Sequence, residues 1–173
     1  VTGGSNIAIG YAALNQLSTG SNNTAGGRDA LVALTTGGGN TAVGYKSMDA
    51  NTTGNNNAAF GANALGGNTT GEMNCAIGVN ALDANTTQSS NTAVGKDALG
   101  ANIISGNTAV GHQALQANTT GAGNLAVGKD ALLTNTTGAY NIAVGYDSLQ
   151  QNNANNNTAV GHDALKLNTT GPV

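Results

Sequence analysis

The sequence repeats itself with a period of seventeen residues along its whole length. Adjacent copies such as residues 107–123 (NTAVGHQALQANTTGAG) and residues 124–140 (NLAVGKDALLTNTTGAY) share most of their letters. The sixth and ninth copies are one residue shorter than the others, and the consensus is N-T-A-V-G-x-x-A-L-x-x-N-T-T-G-x-x, numbered from its first Asn. The ten copies start at Asn6, Asn23, Asn40, Asn57, Asn74, Asn91, Asn107, Asn124, Asn141 and Asn157.

A period this short restricts the fold. Helical repeats need two helices per unit and therefore more than about 30 residues. Seventeen residues suffice for one coil of a β-solenoid, in which each coil stacks on the preceding one at about 4.8 Å. The sequence therefore predicts an all-β fold, a parallel β-solenoid or β-roll of ten coils, about 48 Å long. We expect residues 1–173 to form a single solenoid domain and to be a segment of a longer fibrous chain.

The composition agrees with a rod that has a thin core. Charged residues make up 8% of the chain and aromatic residues 3%, and Trp does not occur. Because Ala, Val and Leu are the main apolar residues, they cannot fill a wide interior. The net charge of −3 provides no attraction for nucleic acid or anionic membranes, and no apolar run has membrane length. We therefore expect no nucleic-acid partner and no membrane insertion.

Positions 1–5 contain the predicted strand and its turn. Position 3 is Ala and position 5 is Gly in all ten copies. Strand alternation places positions 2 and 4 on one face and positions 1, 3 and 5 on the other. An invariant Ala indicates a contact too tight for a larger side chain, so we expect both faces to be covered, one by the interior and one by a neighbouring chain or segment. The Gly is expected to turn the chain or to allow a close backbone approach.

Positions 6–12 are ambiguous. Ala-Leu between polar residues fits a short strand or a single helical turn, and the helix propensity of Asp-Ala-Leu and Gln-Ala-Leu favours a helical or 3₁₀ turn. Leu at position 9 is expected to fill the interior. Asparagines at positions 1 and 12 recur and predict hydrogen-bonded ladders along the rod. The two shorter copies differ in length only in the closing turn, at 102–106 and 152–156, so this turn is expected to face solvent.

We assign structural roles to recurring small and apolar residues at positions 3, 5 and 9. These residues are Ala8, Gly10, Ala42, Gly44, Ala76, Gly78, Ala109, Gly111, Leu115, Ala126, Gly128, Leu132, Ala143, Gly145, Ala159 and Gly161.

The sequence predicts no catalytic, cofactor or metal site, and hence no enzyme. Residues 123–129 (GNLAVGK) approach a phosphate-binding loop, but Asp130 follows where a hydroxyl is required. His112 and His162 at position 6 lie three coils apart, about 14 Å, which is too far to share a metal. Aspartates recur at position 7 without the dense Gly-Asp motifs of calcium-binding β-rolls. These aspartates are Asp29, Asp97, Asp130, Asp147 and Asp163.

Two further residue types invite a functional interpretation. Cys75 is the only cysteine, so an intrachain disulfide is impossible. It occupies position 2, where other copies have Thr or Ile, and we predict a small buried hydrophobe. Tyr11, Tyr45 and Tyr146 at position 6 line one edge and are candidates for stacking on sugars, although scattered exposed tyrosines are usually neutral.

The segments N-T-A-V-G, N-I-A-V-G and N-C-A-I-G resemble the head-domain repeats of trimeric autotransporter adhesins, whose coils carry an Asn-Ser-Val-Ala-Ile-Gly-like core. Similar repeats occur in bacterial surface proteins and bacteriophage tail fibres. The resemblance implies a left-handed parallel β-roll, three chains packed around an axis through small residues, and a surface that adheres to host matrix or to cells. It places the strand at positions 2–4, for example Thr108, Ala109 and Val110, and the turn at Gly111. The period here is longer than the usual coil of that family.

These observations favour a non-enzymatic structural and adhesive fibre segment, extracellular, on a bacterial cell surface or a virion. An enzyme holds a few unlike residues in one place, whereas this chain repeats the same residues everywhere. The expected partners are copies of itself, as a homotrimer or head-to-tail filament, and an unidentified host-surface or matrix ligand.

Two alternatives remain. An Asn-x-Thr row at positions 12 and 14 fits binding to ice or another crystal surface, although Leu17, Leu34 and Ile103–Ile104 interrupt it. A polysaccharide-degrading tail spike is disfavoured because such enzymes use carboxylates and aromatic residues in a groove, and aromatic residues are scarce here.

Overall fold

The computed structural model describes residues 2–169 and residue 171. Each coil contributes one short strand at positions 2–4 of the repeat. The strands are β1 (Ile7–Ile9), β2 (Thr24–Gly26), β3 (Thr41–Val43), β4 (Ala58–Phe60), β5 (Cys75–Ile77), β6 (Thr92–Val94), β7 (Thr108–Val110), β8 (Leu125–Val127), β9 (Ile142–Val144) and β10 (Thr158–Val160). The strand predicted at Thr108–Val110 is therefore confirmed.

The ten strands form one parallel sheet in chain order, β1 to β10. The register places each repeat position on the same position of the next coil, as in the pairs Ala8 with Ala25 and Ala109 with Ala126. Stacked coils that each span one repeat and pair in this way constitute a parallel β-solenoid. The predicted fold class is confirmed.

Positions 6–12 form successive β-turns, and the expected helical or 3₁₀ turn is wrong. Asp97 and Leu99 have φ angles of 57° and 50°, and the residues at positions 7 and 9 have positive φ in all ten coils. The backbone N–H of Ala98 donates to Gly95, and that of Gly100 donates to Asp97, both at 3.3 Å. Every second residue is thus left-handed, which interrupts the continuous right-handed backbone that a helix requires.

No helix that is long and apolar enough to cross a membrane occurs among the described residues.

The core is a narrow column of small and apolar side chains. Ala109 at position 3, Ala114 at position 8 and Leu115 at position 9 are fully buried, and the same positions are buried in most other coils. Leu at position 9 reaches across the coil interior, so only Ala fits on the facing strand. The opposite face of the strand, with positions 2 and 4, lies on the surface of the chain.

Asparagine ladders complete the interior. The backbone N–H of Asn107 donates to Oδ1 of Asn91 at 2.9 Å, and Oδ1 of Asn107 accepts from the backbone N–H of Asn124 at 2.8 Å. At position 12, Nδ2 of Asn118 donates to Oδ1 of Asn102 at 2.9 Å. The predicted ladders are confirmed, and the position 1 ladder runs from backbone to side chain as well as between side chains. Buried asparagines therefore satisfy the polar groups that connect one coil to the next.

Candidate functional surface

The outward face of the ten-stranded sheet is the most regular surface of the rod. Since side chains alternate along each strand, Ala at position 3 points inward while positions 2 and 4 point outward. We call these two outward rows the outer sheet face. The row at position 2 comprises Ile7, Thr24, Thr41, Ala58, Cys75, Thr92, Thr108, Leu125, Ile142 and Thr158. The row at position 4 comprises Ile9, Gly26, Val43, Phe60, Ile77, Val94, Val110, Val127, Val144 and Val160.

The outer sheet face carries no charged residue, and its position 4 row is almost wholly apolar. Val, Ile or Phe occupies position 4 in nine of the ten coils. The exposed side chains of this row range from 36% exposure at Val110 to 71% at Val160, and the remaining ones are half-buried. Isolated exposed apolar residues are common, but a contiguous apolar row is typical of an interaction surface.

On β4 and β5, as on β1, β8 and β9, the face is apolar at both outward rows. Phe60 and Ile77 are 42% and 41% exposed, and Ala58 and Cys75 flank them at position 2. The prediction that Cys75 is a buried hydrophobe is wrong, because its side chain points outward and is only partly buried. Partial desolvation raises the pKa of its thiol above the ordinary value of 9.0. Val79 at position 6 extends the apolar patch by one residue.

Except for Ala62 and Val79, position 6 carries aromatic and cationic side chains along the edge of this face. The guanidinium carbon of Arg28 lies 5.7 Å from the ring centre of Tyr11 and 6.0 Å from that of Tyr45. Tyr146 stacks on His162 with ring centres 5.1 Å apart and an angle of 8°. At least one face of each of these three tyrosines is thus occupied by a side chain of a neighbouring coil. This arrangement leaves less ring surface for stacking on a sugar than the sequence alone implies.

Each aspartate of position 7 has a cationic partner: Asp29, Asp97 and Asp130 pair with the position 6 residue of the same coil, and Asp147 and Asp163 pair with Lys166. Arg28 Nε lies 3.3 Å from Asp29 Oδ2, and Lys96 contacts Asp97 in the same way. The hydrogen bond from Lys96 holds the pKa of Asp97 below its usual value. The sequence reasoning missed this pairing, although the adjacent Arg-Asp and Lys-Asp letters were the available signal. The carboxylates therefore form ion pairs within the chain rather than an open row of ligands.

The two histidines are placed apart, each beside a carboxylate. His112 Nδ1 lies 3.9 Å from Asp130 Oδ1, and His162 Nδ1 lies 3.0 Å from Asp163 Oδ2. Within residues 2–169 and residue 171, no group of three His, Cys, Asp or Glu side chains has an arrangement that would hold a metal ion.

A shallow groove of about 410 Å³ opens beside coils five to seven. Gly100 leaves room for it, and Asp83 and Asp97 contribute the carboxylates. Desolvation raises the pKa of Asp83, and repulsion from Asp49 and Asp97 adds to this effect. The sequence reasoning found no carboxylate pair, since these aspartates occupy different repeat positions, 10 and 7. The lining contains neither an aromatic side chain nor a Ser, Cys or His nucleophile; it comprises Asn80, Asp83, Asp97, Gly100, Ala101, Gln116 and Ala117.

The Asn-x-Thr row considered for ice binding does not form on the surface. Asn51 and Asn118 at position 12 are fully buried in the interior ladder. The Thr residues of position 14, for example Thr120, are exposed, so the surface lacks the Asn half of the row. The closing turn does face solvent where it is shortened, since Ile103 is 47% exposed. The regular surface lattice of the rod is therefore the outer sheet face and not this row.

The residues predicted to have structural roles at positions 3, 5 and 9 lie in the core or at the turn after each strand. Ala42, Ala76, Ala109, Ala126, Ala143, Leu115 and Leu132 are fully buried, Ala159 is 4% exposed, and Ala8 in the first coil is exposed. The glycines at position 5 all have φ between 128° and 140°. A Cβ on Gly111 would lie 2.4 Å from the carbonyl oxygen of Gly128, so glycine allows the coils to stack closely. The other glycines of the assigned set are Gly10, Gly44, Gly78, Gly128, Gly145 and Gly161.

Comparison of the chain with protein-family models, with curated proteins and with solved structures gives no match.

Proposed function

We propose that the chain is a non-enzymatic structural and adhesive fibre segment, displayed outside the cell on a bacterial surface or a phage tail. The observation that carries this proposal is the in-register stacking of the coils, which repeats the same outward positions along the whole rod. Such a surface binds through many weak, equivalent contacts, and their sum gives avidity. The resemblance of N-T-A-V-G to adhesin head repeats supports the extracellular location.

Copies of the chain are partners in this proposal, as a homotrimer or a head-to-tail filament, together with an unidentified host-surface or matrix ligand. The backbone N–H of Thr108 donates to the carbonyl of Asn124 in the next coil at 2.9 Å, and equivalent bonds recur along the rod. Because each coil presents the same donors and acceptors to its neighbour, a second copy stacked end to end finds matching groups.

The acidic groove is the strongest argument for an enzyme, because carboxylates with pKa values shifted in opposite directions suit acid–base hydrolysis of a glycoside. Two observations favour the non-enzymatic proposal. Asp97 is engaged by Lys96 and by Nδ2 of Asn80, which donates to it at 3.1 Å. The groove also lacks an aromatic platform on which a sugar ring would stack.

Enzyme assays test the non-enzymatic part of the proposal. The purified chain is incubated with polysaccharide, peptide and nucleotide substrates, beside Asp83→Asn and the matched control Asp49→Asn, which removes a carboxylate at the same repeat position outside the groove lining. We expect no turnover by any of the three proteins. Turnover that Asp83→Asn abolishes and Asp49→Asn retains would overturn the proposal.

Adhesion is tested by the binding of the fluorescently labelled chain to bacterial cells and to surfaces coated with collagen or fibronectin. Variants that lack one or three whole coils serve as the comparison. We expect the bound fraction to fall gradually as coils are removed, because avidity depends on the number of contacts. Binding to none of these surfaces above an albumin-coated control, or its complete loss on removal of a single coil, would contradict the adhesive role.

A further inference from the structure

The position 4 row of the outer sheet face is apolar in every coil except that of Gly26, and nothing in the described part of the chain covers it. It runs along all ten strands, and exposed apolar side chains recur from Ile9 in β1 to Val160 in β10. A single isolated patch would need no explanation, but this one extends over the full length of the rod.

We propose that the outer sheet face is the lateral interface between copies of this chain, packed side by side along the rod. This inference rests on one part of the proposed function, the self-association of the chain, and it does not depend on adhesion. It names the surface that carries the contact, and it predicts that Phe60 and Ile77 are its anchors.

The repeat of the face specifies the occupant. A partner that covers the whole face must present apolar groups at the coil spacing, about 4.8 Å, along about 48 Å. A second copy of the chain has the same coil spacing, and the parallel in-register sheet places its outward side chains in straight rows. A globular partner would cover only a few coils and leave the remaining apolar row in water.

The charge distribution also favours a second copy. Positions 2 and 4 carry no charge in any coil. The cations at the edge are already matched within the chain, as Lys96 is by Asp97 and Lys129 is by Asp130. An acidic or basic partner therefore gains little from this face, whereas an uncharged surface buries no charge against it and has only the Thr hydroxyls of position 2 to satisfy.

The area is at the lower limit for a specific contact. Strands this short make the face about 10 Å wide, so a length of about 48 Å gives about 480 Å² per copy. Two copies then bury about 960 Å², close to the roughly 1,000 Å² that a biological interface is expected to reach, before the position 6 edge is counted. The interface therefore needs most of the rod, which fits a side-by-side arrangement.

Phe60 and Ile77 are the expected anchors because they are neighbours in the position 4 row near the middle of the rod, on two strands that are apolar at both outward rows. Phe60 is the largest side chain of the face, and large aromatic residues dominate the energetics of interfaces. The strands β1, β8 and β9 are also apolar at both outward rows, whereas Thr occupies position 2 on β2, β3, β6, β7 and β10. Replacement of the two anchors with lysine places two charges in the centre of the contact.

Analytical ultracentrifugation tests the interface with wild type, Phe60→Lys/Ile77→Lys and the matched control Thr70→Lys/Thr87→Lys. The control places the same charges on exposed closing turns of the same two coils. We expect the wild type to sediment as a multiple of 16.8 kDa. We expect the face variant to associate at least about 100-fold more weakly, and the control to behave as the wild type. A monomeric wild type at its highest soluble concentration, or a face variant of unchanged mass, would overturn the inference.

Cys75 gives a second readout that needs no substitution and so does not depend on the variant folding. Its thiol lies on the outer sheet face in β5. We expect its alkylation by N-ethylmaleimide to slow as protein concentration rises and larger species form. An alkylation rate that does not change while the mass increases would place the contact elsewhere, for example at the rod ends, and overturn the inference. A monomer that still adheres to cells would refute this interface and leave the adhesive function standing.

Discussion

At the scale of single residues, the small alanine of position 3 fixes the width of the coil. Ala109 is fully buried opposite the interior leucines. Valine has the higher strand propensity, but two extra methyl groups overpack this site. We expect Ala109→Val to lower the free energy of unfolding by about 1–3 kcal/mol, measured by urea denaturation. Thr108→Val on the outward face is the control and should change it by less than about 0.5 kcal/mol. An Ala109→Val variant as stable as wild type would show that the interior is loosely packed.

Asp97 makes stability depend on pH. Its pKa lies below the ordinary value of 3.8, chiefly because Lys96 donates a hydrogen bond to it. A carboxyl whose pKa is lowered by folding stabilises the protein above the unfolded pKa, and this contribution is lost as pH falls through the folded pKa. We expect the free energy of unfolding of wild type, measured by urea denaturation, to exceed that of Asp97→Asn by up to about 1 kcal/mol near pH 7. This difference should disappear as the pH falls below 3.8 and through the lower pKa of the folded protein. Asparagine already occupies this left-handed position as Asn63 and Asn80, so the backbone is preserved. A gap that widens in acid would contradict the ion-pair account.

At the scale of the structural element, the glycine after each strand permits close stacking as well as the turn. Gly111 and Gly161 have similar φ angles, 140° and 133°. A Cβ at Gly111 would meet a carbonyl oxygen of the next coil at 2.4 Å, whereas the nearest atom at Gly161 is 3.8 Å away. We therefore expect Gly111→Ala to cost at least about 2 kcal/mol more than Gly161→Ala in thermal or urea unfolding. Equal losses would show that backbone strain alone explains the glycine.

The asparagine ladder links neighbouring coils through buried polar groups. Asn107 accepts from the backbone N–H of Asn124 and donates through Nδ2 to the carbonyl of Gly121 at 2.9 Å. Asn107→Ala leaves both groups buried without that partner, so we expect a loss of about 2–5 kcal/mol in the free energy of unfolding. The exposed Asn15 supplies the control, since Asn15→Ala should change stability by less than about 0.5 kcal/mol. If both variants lost the same amount, the ladder would have no special role.

Sequence reasoning located the strands and ladders because both follow directly from the period. It failed at Asp97 and Leu99, since local propensity favours a helical turn there. The requirement that Leu enter the interior while the coil closes within one repeat selects alternating left-handed residues instead.

Which face of the strand is exposed to solvent could not be predicted from the sequence either. Val110 is the larger apolar residue, yet it lies outside, because the leucine column leaves room only for Ala109. The apolar outer face thus emerged only with the three-dimensional arrangement.

At the scale of the whole molecule, stability and length should scale with the number of coils. In a stack where each coil contacts only its neighbours, one whole coil can be removed without disturbing the rest. The deletion of residues 124–140 removes one complete repeat and lets β7 pair with β9 in the same register. The deletion of residues 124–131 removes about half a coil and breaks that register, so it serves as the destabilised control.

Small-angle X-ray scattering of wild type and of the 124–140 deletion tests the stacked-coil rod most directly. We predict that the longest dimension falls by one coil spacing, about 4.8 Å, while the radius of gyration of the cross-section is unchanged. The circular dichroism signal per residue should also stay the same. A change in the cross-section, or a loss of folded structure comparable to that of the half-coil deletion, would contradict the account.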